Sequence, residues 1–354
     1  MTLPMNLSGH WYGVVPPQFV YARRRFKRVV LEPPDEVPGS WIGAGKVIYD
    51  APEKQFLLTA RPRTAAEGVR GYAVQIYRSA DGEAFDLITS LTKEELARDS
   101  GLEIHSLEGT QLLRDPLTGR WHLYVAVDTG SDFVWGGLYW QTLLVTSDSL
   151  EGPWKTHGLV LKNDRAYDAN QARDCTIDIV DGTWFCLYKA MDGVRARRPA
   201  LATSTDGVNW TKHGVFRTDG HEQRSFLSGT IFSSPLGPLF MGIEKLYPGD
   251  ETTPREDVFA DNYKITHGGG PLPNFSAYVL DYRNMNLELV FRGPWIPLSP
   301  VEHTEHPLLG YASVVYDPHK NRVLLYAQAI DRELSQRMGI NETVDRLILY
   351  ESPL

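Results

Sequence analysis

The chain has 354 residues, 42% hydrophobic and 23% charged, enough to bury a sizeable core and unlike a disordered or low-complexity sequence. Its formal charge of −8 argues against broad binding to nucleic acid or acidic membranes, both of which call for a basic surface. The 31 Gly and 23 Pro, with 11% aromatic residues, suit many short strands.

The first residues, MTLPMNLSGHWYGVVPPQF, hold no basic leader followed by an apolar run, and no later stretch approaches the ~18 apolar residues of a membrane span. The expectation is a soluble, cytoplasmic chain. FKRVVLEP (26–33) follows as an isolated strand pattern. Five related units come next, each made of small residues, a strand, a turn and a second strand: GAGKVIYDAPEKQFLLTARPR (43–63), EGTQLLRDPLTGRWHLYVAVD (108–128), DCTIDIVDGTWFCLYKA (174–190), SGTIFSSPLGPLFMGIEKL (228–246) and YASVVYDPHKNRVLLYAQAID (311–331). Their first positions align as Ala44, Glu108, Asp174, Ser228 and Tyr311, with spacings of 64, 66, 54 and 83 residues, room for one four-stranded unit each.

Three units continue into a third strand with a shared ending, SADGEAF (79–85), SDSLEGPW (147–154) and STDGVNW (204–210). TKEELARD (92–99) is the main helical pattern, read as an excursion between units. The fifth unit stops at RLILYESPL, too soon for an outer strand, so the 26–33 strand is expected to complete it and close the ring. The predicted fold is all-β: one domain over 1–354, a five-bladed β-propeller with four-stranded blades. In the third unit, Asp181-Gly182 predicts a two-residue hairpin that sets Ile177 opposite Cys186 and Asp174 opposite Lys189. Cys175 then lies diagonal to Cys186, which disfavours a disulfide, and both read as buried small hydrophobes.

RDCTIDIVDGTWFCLYKA together with STDGVNW resembles the five-bladed propellers of glycoside hydrolase family 43 and its relatives. The resemblance implies a central pocket lined by the first strand of each blade, with a blade-one Asp, a blade-three Asp and a blade-four Glu as base, modulator and acid. Asp174 matches the blade-three position, and Arg173 before it matches the Arg-Asp pair of related fructan-processing propellers. Ala44 and Ser228 stand where the blade-one and blade-four acids would be, and Glu108 brings an acid to blade two.

Cleaving a glycosidic bond takes two carboxyl groups, one giving a proton to the leaving oxygen and one activating water or attacking. Glu108 and Asp174, at equivalent positions of neighbouring units, are the candidate pair, and two acids in a low-dielectric mouth are expected to split their pKa values. Glu244 and, after it, Glu222 are reserves for the missing blade-four acid. Asp168, Arg173, Lys189, Arg61, His105, His303 and Tyr311 are candidate substrate contacts, Arg63 following Arg61 on its strand and His306 following His303, and Trp135, Tyr139 and Trp140 are candidate faces for stacking on sugar rings. Three scattered His do not make metal spacing, so no metal and no other cofactor is expected.

The leading expectation is a glycoside hydrolase-like enzyme acting on a glycoside or short oligosaccharide. The alternatives are a non-hydrolytic enzyme on the same scaffold, a glycoside phosphorylase or one rearranging a polyhydroxylated or cyclic metabolite, and a carbohydrate-binding propeller without catalysis. The sequence gives no oligomeric state.

Overall fold

The computed structural model describes residues 15–43, 45–64, 69–130, 139–192, 197–223, 225–246, 273–303, 311–334 and 344–354. Ala44, Trp135 and His306 lie outside them. The chain opens with α1 (Pro17–Arg23), β1 (Arg25–Leu31) and β2 (Trp41–Gly43). An antiparallel set follows: β3 (Val47–Asp50), β4 (Gln55–Arg63), β5 (Ala73–Ser79) and β6 (Asp86–Thr92). After α2 (Lys93–Ser100) comes a second set: β7 (Ser106–Arg114), β8 (Trp121–Asp128), β9 (Trp140–Ser147) and β10 (Lys155–Leu161). The third is β11 (Gln171–Val180), β12 (Thr183–Met191), β13 (Arg197–Ser204) and β14 (Thr211–Val215). Beyond the short β15 (Arg217–Thr218) and β16 (His221–Glu222) lies a fourth: β17 (Ser225–Ser234), β18 (Gly237–Leu246), β19 (Asn274–Asp281) and β20 (Asn286–Pro294). The last run is β21 (Ala312–Asp317), β22 (Arg322–Ile330) and β23 (Asp345–Pro353).

The lone N-terminal strand does pair with the last one: β1 lies antiparallel to β23, from Arg25 opposite Glu351 to Leu31 opposite Leu347. On the same side of the molecule β2 bridges β23 to β4.

Local chemistry explains the elements. Asp181 and Gly182 both take positive φ, 50° and 79°, as a type I′ turn requires. Thr92 caps α2, accepting from the Glu95 amide at 3.2 Å while Glu95 Oε2 accepts from the Thr92 amide at 2.8 Å. The shared Ser-x-Asp-Gly endings form one device used twice. Ser79 and Ser204 each accept from the amide of the glycine three residues on, Gly82 and Gly207, at 2.9 and 3.0 Å. Each glycine carbonyl then accepts a tyrosine hydroxyl from another set, Tyr326 to Gly82 at 2.5 Å and Tyr124 to Gly207 at 2.6 Å.

β11 pairs with β9 of the second set at Gln171 and Trp140, whereas on β7, β17, β21 and β3 amides facing the neighbouring set are satisfied by its side chains. The Gly109 amide donates to Asp174 Oδ1 at 3.1 Å and the Ile231 amide to Asp178 Oδ2 at 2.7 Å. The Ala312 amide donates to Ser228 Oγ at 3.0 Å and the Val47 amide to Ser313 Oγ at 3.1 Å. These contacts run from β7 to β11, β17, β21 and β3. An Asp50–Arg114 ion pair at 3.4 Å links β3 back to β7. Buried polar side chains on these strands thus replace a sheet ladder, consistent with the rule that buried amides find acceptors. Apolar clusters fill the space between sets, such as Phe185, Leu201, Ile231 and Phe240 between the third and fourth.

Near β23 one buried carboxyl stands apart. Glu302 accepts from Trp295 Nε1 at 2.6 Å and from the Tyr350 hydroxyl. Burial pushes its pKa up from 4.5 to about 7, against those two hydrogen bonds. Between these values the folded state keeps a proton that the unfolded state has lost, so stability falls as pH rises through 4.5 to 7 and is level above. The expected loss is about 3 kcal/mol. Glu302→Gln should remove that component, and urea midpoints at pH 5 and 7.5 that fall equally in parent and variant would contradict it.

Candidate active site

Glu108 and Asp174 are brought together by matching irregularities. The register of β7 against β8 shifts between Leu107 and Thr110, so Glu108 and Gly109 face Ala126 alone; β11 against β12 shifts between Arg173 and Thr176, so Asp174 and Cys175 face Tyr188 alone. Each acid is the first residue of a β-bulge, a device that re-aims a side chain. Asp174 also takes φ 55°, a region that Asp tolerates better than most residues. The bulge corrects the expected register: Lys189 lies opposite Arg173, not Asp174, yet its ammonium still reaches the Asp174 carboxylate as an ion pair.

Cations surround both acids. Arg61, sealed from solvent, donates from Nη2 to Glu108 Oε1 at 2.6 Å, and the Tyr311 hydroxyl donates to the same oxygen at 3.1 Å. Arg173 lies between the acids, with Nη1 at 3.9 Å from Glu108 and Nε at 3.5 Å from Asp174. Its guanidinium is stacked over Trp140 at 4.2 Å and fixed by Gln171 at 3.0 Å. Lys189 Nζ sits 4.9 Å above the ring of Phe226, which packs edge-on against Tyr311.

The surrounding cations shift both acids in the same direction. Burial alone would raise both carboxyls, but Arg61 and Arg173 outweigh it at Glu108, and Arg173 and Lys189 outweigh it at Asp174, so both are held below their ordinary values. Neither carries a proton at neutral pH. Burial, with Arg173 and Arg197 nearby, pushes the Lys189 ammonium down to about 7, although Asp174 opposes this.

Other expected site residues are engaged elsewhere. Glu244 is fully buried: strand alternation turns it to the face opposite Lys245, where Arg292 holds it by two contacts, at 2.8 and 3.1 Å, and Gln223, Ser276 and Tyr278 also donate to it. These partners place it in a hydrogen-bonded network of the fourth set. Asp168 is likewise buried, receiving Lys212 at 2.6 Å, Tyr188 at 3.0 Å and the Arg165 amide at 2.8 Å, a clasp before β11 in place of a substrate contact. Glu222 is exposed and pairs with Arg198 at 2.9 Å. His105 lies 3.6 Å from the exposed Glu103, and His303 is buried, its amide bonded to the Ile330 carbonyl. Trp140 is a buried platform for Arg173, which rules it out as a sugar-stacking face; Tyr139 is exposed.

No family model matches the sequence. A probable arabinan endo-1,5-alpha-L-arabinosidase C of Neosartorya fischeri is 31% identical over 87 residues, 23% of this chain and only 26% of that protein's length. A family 117 glycoside hydrolase of the marine bacterium Zobellia galactanivorans superposes with a TM-score of 0.59 at 11% identity, covering 93% of this chain and 90% of the other. The native arabinanase of Bacillus subtilis gives 0.52 at 12% identity, over 88% and 94%. The fold is that of the propeller-type glycoside hydrolases. At these identities the likeness is one of fold, and the site has to be argued from its own residues.

Three further cations, one near Asp174 and two near Lys189, carried no signal in the sequence. The buried Lys46 ammonium lies within hydrogen-bond distance of four acceptors for its three N–H groups, Thr176 Oγ1 at 3.1 Å, Ser228 Oγ at 3.0 Å, the Gly229 carbonyl at 3.0 Å and the Ala312 carbonyl at 2.9 Å, joining the third, fourth and fifth sets. Lys245 and Arg197 stand beside Lys189. Small-residue units such as GAGK suggest packing, and only the meeting of distant strands gives the lysine its partners. Among the described residues no group of His, Cys, Asp and Glu is placed to hold a metal ion, and no helix is long and apolar enough to cross a membrane.

Proposed function

We propose that the five antiparallel sets are the blades of a single closed propeller, and that the chain hydrolyses a glycoside or short oligosaccharide bound in the axial pocket between Glu108 and Asp174. The observation that carries this reading is the convergence of the two bulged acids on one guanidinium, Arg173. Their positions on equivalent strands agree with the fold's central site, and their ionised state suits a base or nucleophile that also stabilises positive charge at the anomeric carbon. The proton for the leaving oxygen then comes from Lys189, the neighbour of Asp174 whose ammonium is brought near neutrality. Arg61, Arg173 and Tyr311 position Glu108.

One observation favours a second reading, an enzyme of the same fold that transfers to phosphate or rearranges a metabolite: neither central carboxyl is protonated at neutral pH. A panel of nitrophenyl glycosides assayed with and without inorganic phosphate separates the two. Phosphate-independent release of nitrophenol is expected; strict dependence on phosphate favours the second reading, and saturable binding of sugars without turnover leaves a carbohydrate-binding propeller.

A further inference from the structure

In each of the five repeated units the aligned first position is followed by a small residue: Gly45, Gly109, Cys175, Gly229 and Ala312. The three glycines leave space for different neighbours. A Cβ on Gly45 would fall 1.7 Å from the Thr59 carbonyl oxygen, and one on Gly229 would fall 2.2 Å from that of Met241, each on the partner strand of the same set. A Cβ on Gly109 would meet the next set instead, its three nearest atoms being Asp174 Oδ1 at 2.7 Å, Cα at 2.8 Å and Cβ at 3.2 Å. Gly109 also donates its amide to Asp174 Oδ1 at 3.1 Å. That bond alone does not call for glycine, since Asp178 accepts the corresponding amide of Ile231, a residue with a branched side chain, at 2.7 Å. What calls for it is the close approach of the Asp174 backbone, which enters its bulge at φ 55° and brings its Cα against residue 109. The residue before Gly109 is Glu108, so one dipeptide carries the first acid and touches the second.

We infer that Gly109 is a positioning residue of the site: its missing side chain and its amide together seat the Asp174 carboxylate beside Glu108, so that the spacing of the two acids is referred to one rigid peptide unit. This rests on the glycosidase reading above. The separation of two carboxyl groups decides where an attacking group and a water can stand at the anomeric carbon, and a misplacement of ~1 Å can cost about a hundredfold in rate. Alanine at 109 forces such a displacement, because two of the atoms it would meet lie under 3.0 Å away and one of them is backbone.

The test is a double-mutant cycle on the best glycoside of the nitrophenyl panel. Gly109→Ala is expected to lower kcat about tenfold or more, with KM changed less, and to lower Tm because β11 must yield. Added to Asp174→Asn, the same substitution should lower Tm as it does in the unmodified protein but kcat by less than about threefold, since the carboxylate it displaces is already gone. An equal loss of kcat in both backgrounds, which a merely structural role would give, or no loss in the unmodified protein, overturns the inference. A second measurement needs neither a folded Gly109→Ala protein nor turnover. In protein isotope-labelled at glycine, the Gly109 amide proton, bonded to a carboxylate, is expected well downfield and should move upfield in Asp174→Asn; an unchanged resonance overturns the inference. An unmodified protein that turns over no glycoside would remove the glycosidase reading, and the amide resonance would still decide whether Gly109 seats Asp174.

Discussion

Asp174→Asn is expected to lower kcat by about a hundredfold or more while the protein still folds. Asn keeps the side-chain oxygen that accepts the Gly109 amide at 3.1 Å and tolerates the 55° φ of this position. What it removes is the charge facing Lys189 and Arg173. Because that ion pair is buried, the stability loss should exceed the 1 kcal/mol or less of an exposed pair, yet stay moderate at about 2 kcal/mol, since the Lys189 ammonium is already poised to give up its proton. The carboxylate therefore serves twice, as an acceptor clasping the second set to the third and as the charge of the site. Asn separates the two roles. A large fall in Tm with unchanged kcat would assign Asp174 to the clasp alone, so both quantities are measured on one preparation.

Lys46→Met is expected to cost on the order of 3 kcal/mol or more of stability, read from urea denaturation. Met fills much of the lysine's volume but donates nothing, leaving two hydroxyls and two carbonyls of three different sets without their common donor and Asp178 without its nearby cation. The pH dependence adds a second signature. Burial depresses the folded pKa of Lys46 from 10.5 to about 7, against Asp178 and Asp174. Between those values the folded state binds fewer protons than the unfolded one, so this residue makes stability rise with pH from 7 to 10.5. The variant should lack that rise. A variant as stable as the parent at pH 7, with the same pH slope, would show that Lys46 does not tie the inner strands together.

How much of this was legible in the sequence depends on what each feature needs. Local grammar was enough for the Asp181-Gly182 turn, the capped helix at Lys93–Ser100, the Ser-x-Asp-Gly endings and the strand before the first unit that pairs with β23. Repeat alignment was enough to pair Glu108 with Asp174, because equivalent positions on repeated units meet wherever the units converge. The bulges were not visible: one extra residue in β11 displaces Lys189 from Asp174 to Arg173, and no residue pattern announces it. Glu244 misled because its neighbour Lys245 faces the site, and a one-residue alternation sends the acid into a network of Arg292, Gln223, Ser276 and Tyr278. Lys46, Arg197 and Lys245 were missed because their partners lie on strands far away in the chain. The cationic character of the site, which holds both carboxyls below their ordinary values, is a property of the assembled sets alone.

The central claim is that Glu108 and Asp174 flank the bond that is broken. Its most direct test is a crystal structure of the Asp174→Asn protein soaked with the best glycoside from the nitrophenyl panel. The account predicts an intact glycoside between the two inner strands, its anomeric carbon facing residue 174, Glu108 within hydrogen-bond reach of the sugar and the glycosidic oxygen turned toward Lys189. A sugar bound on another face, or one in the axial pocket with its glycosidic bond directed away from both acids, would contradict it.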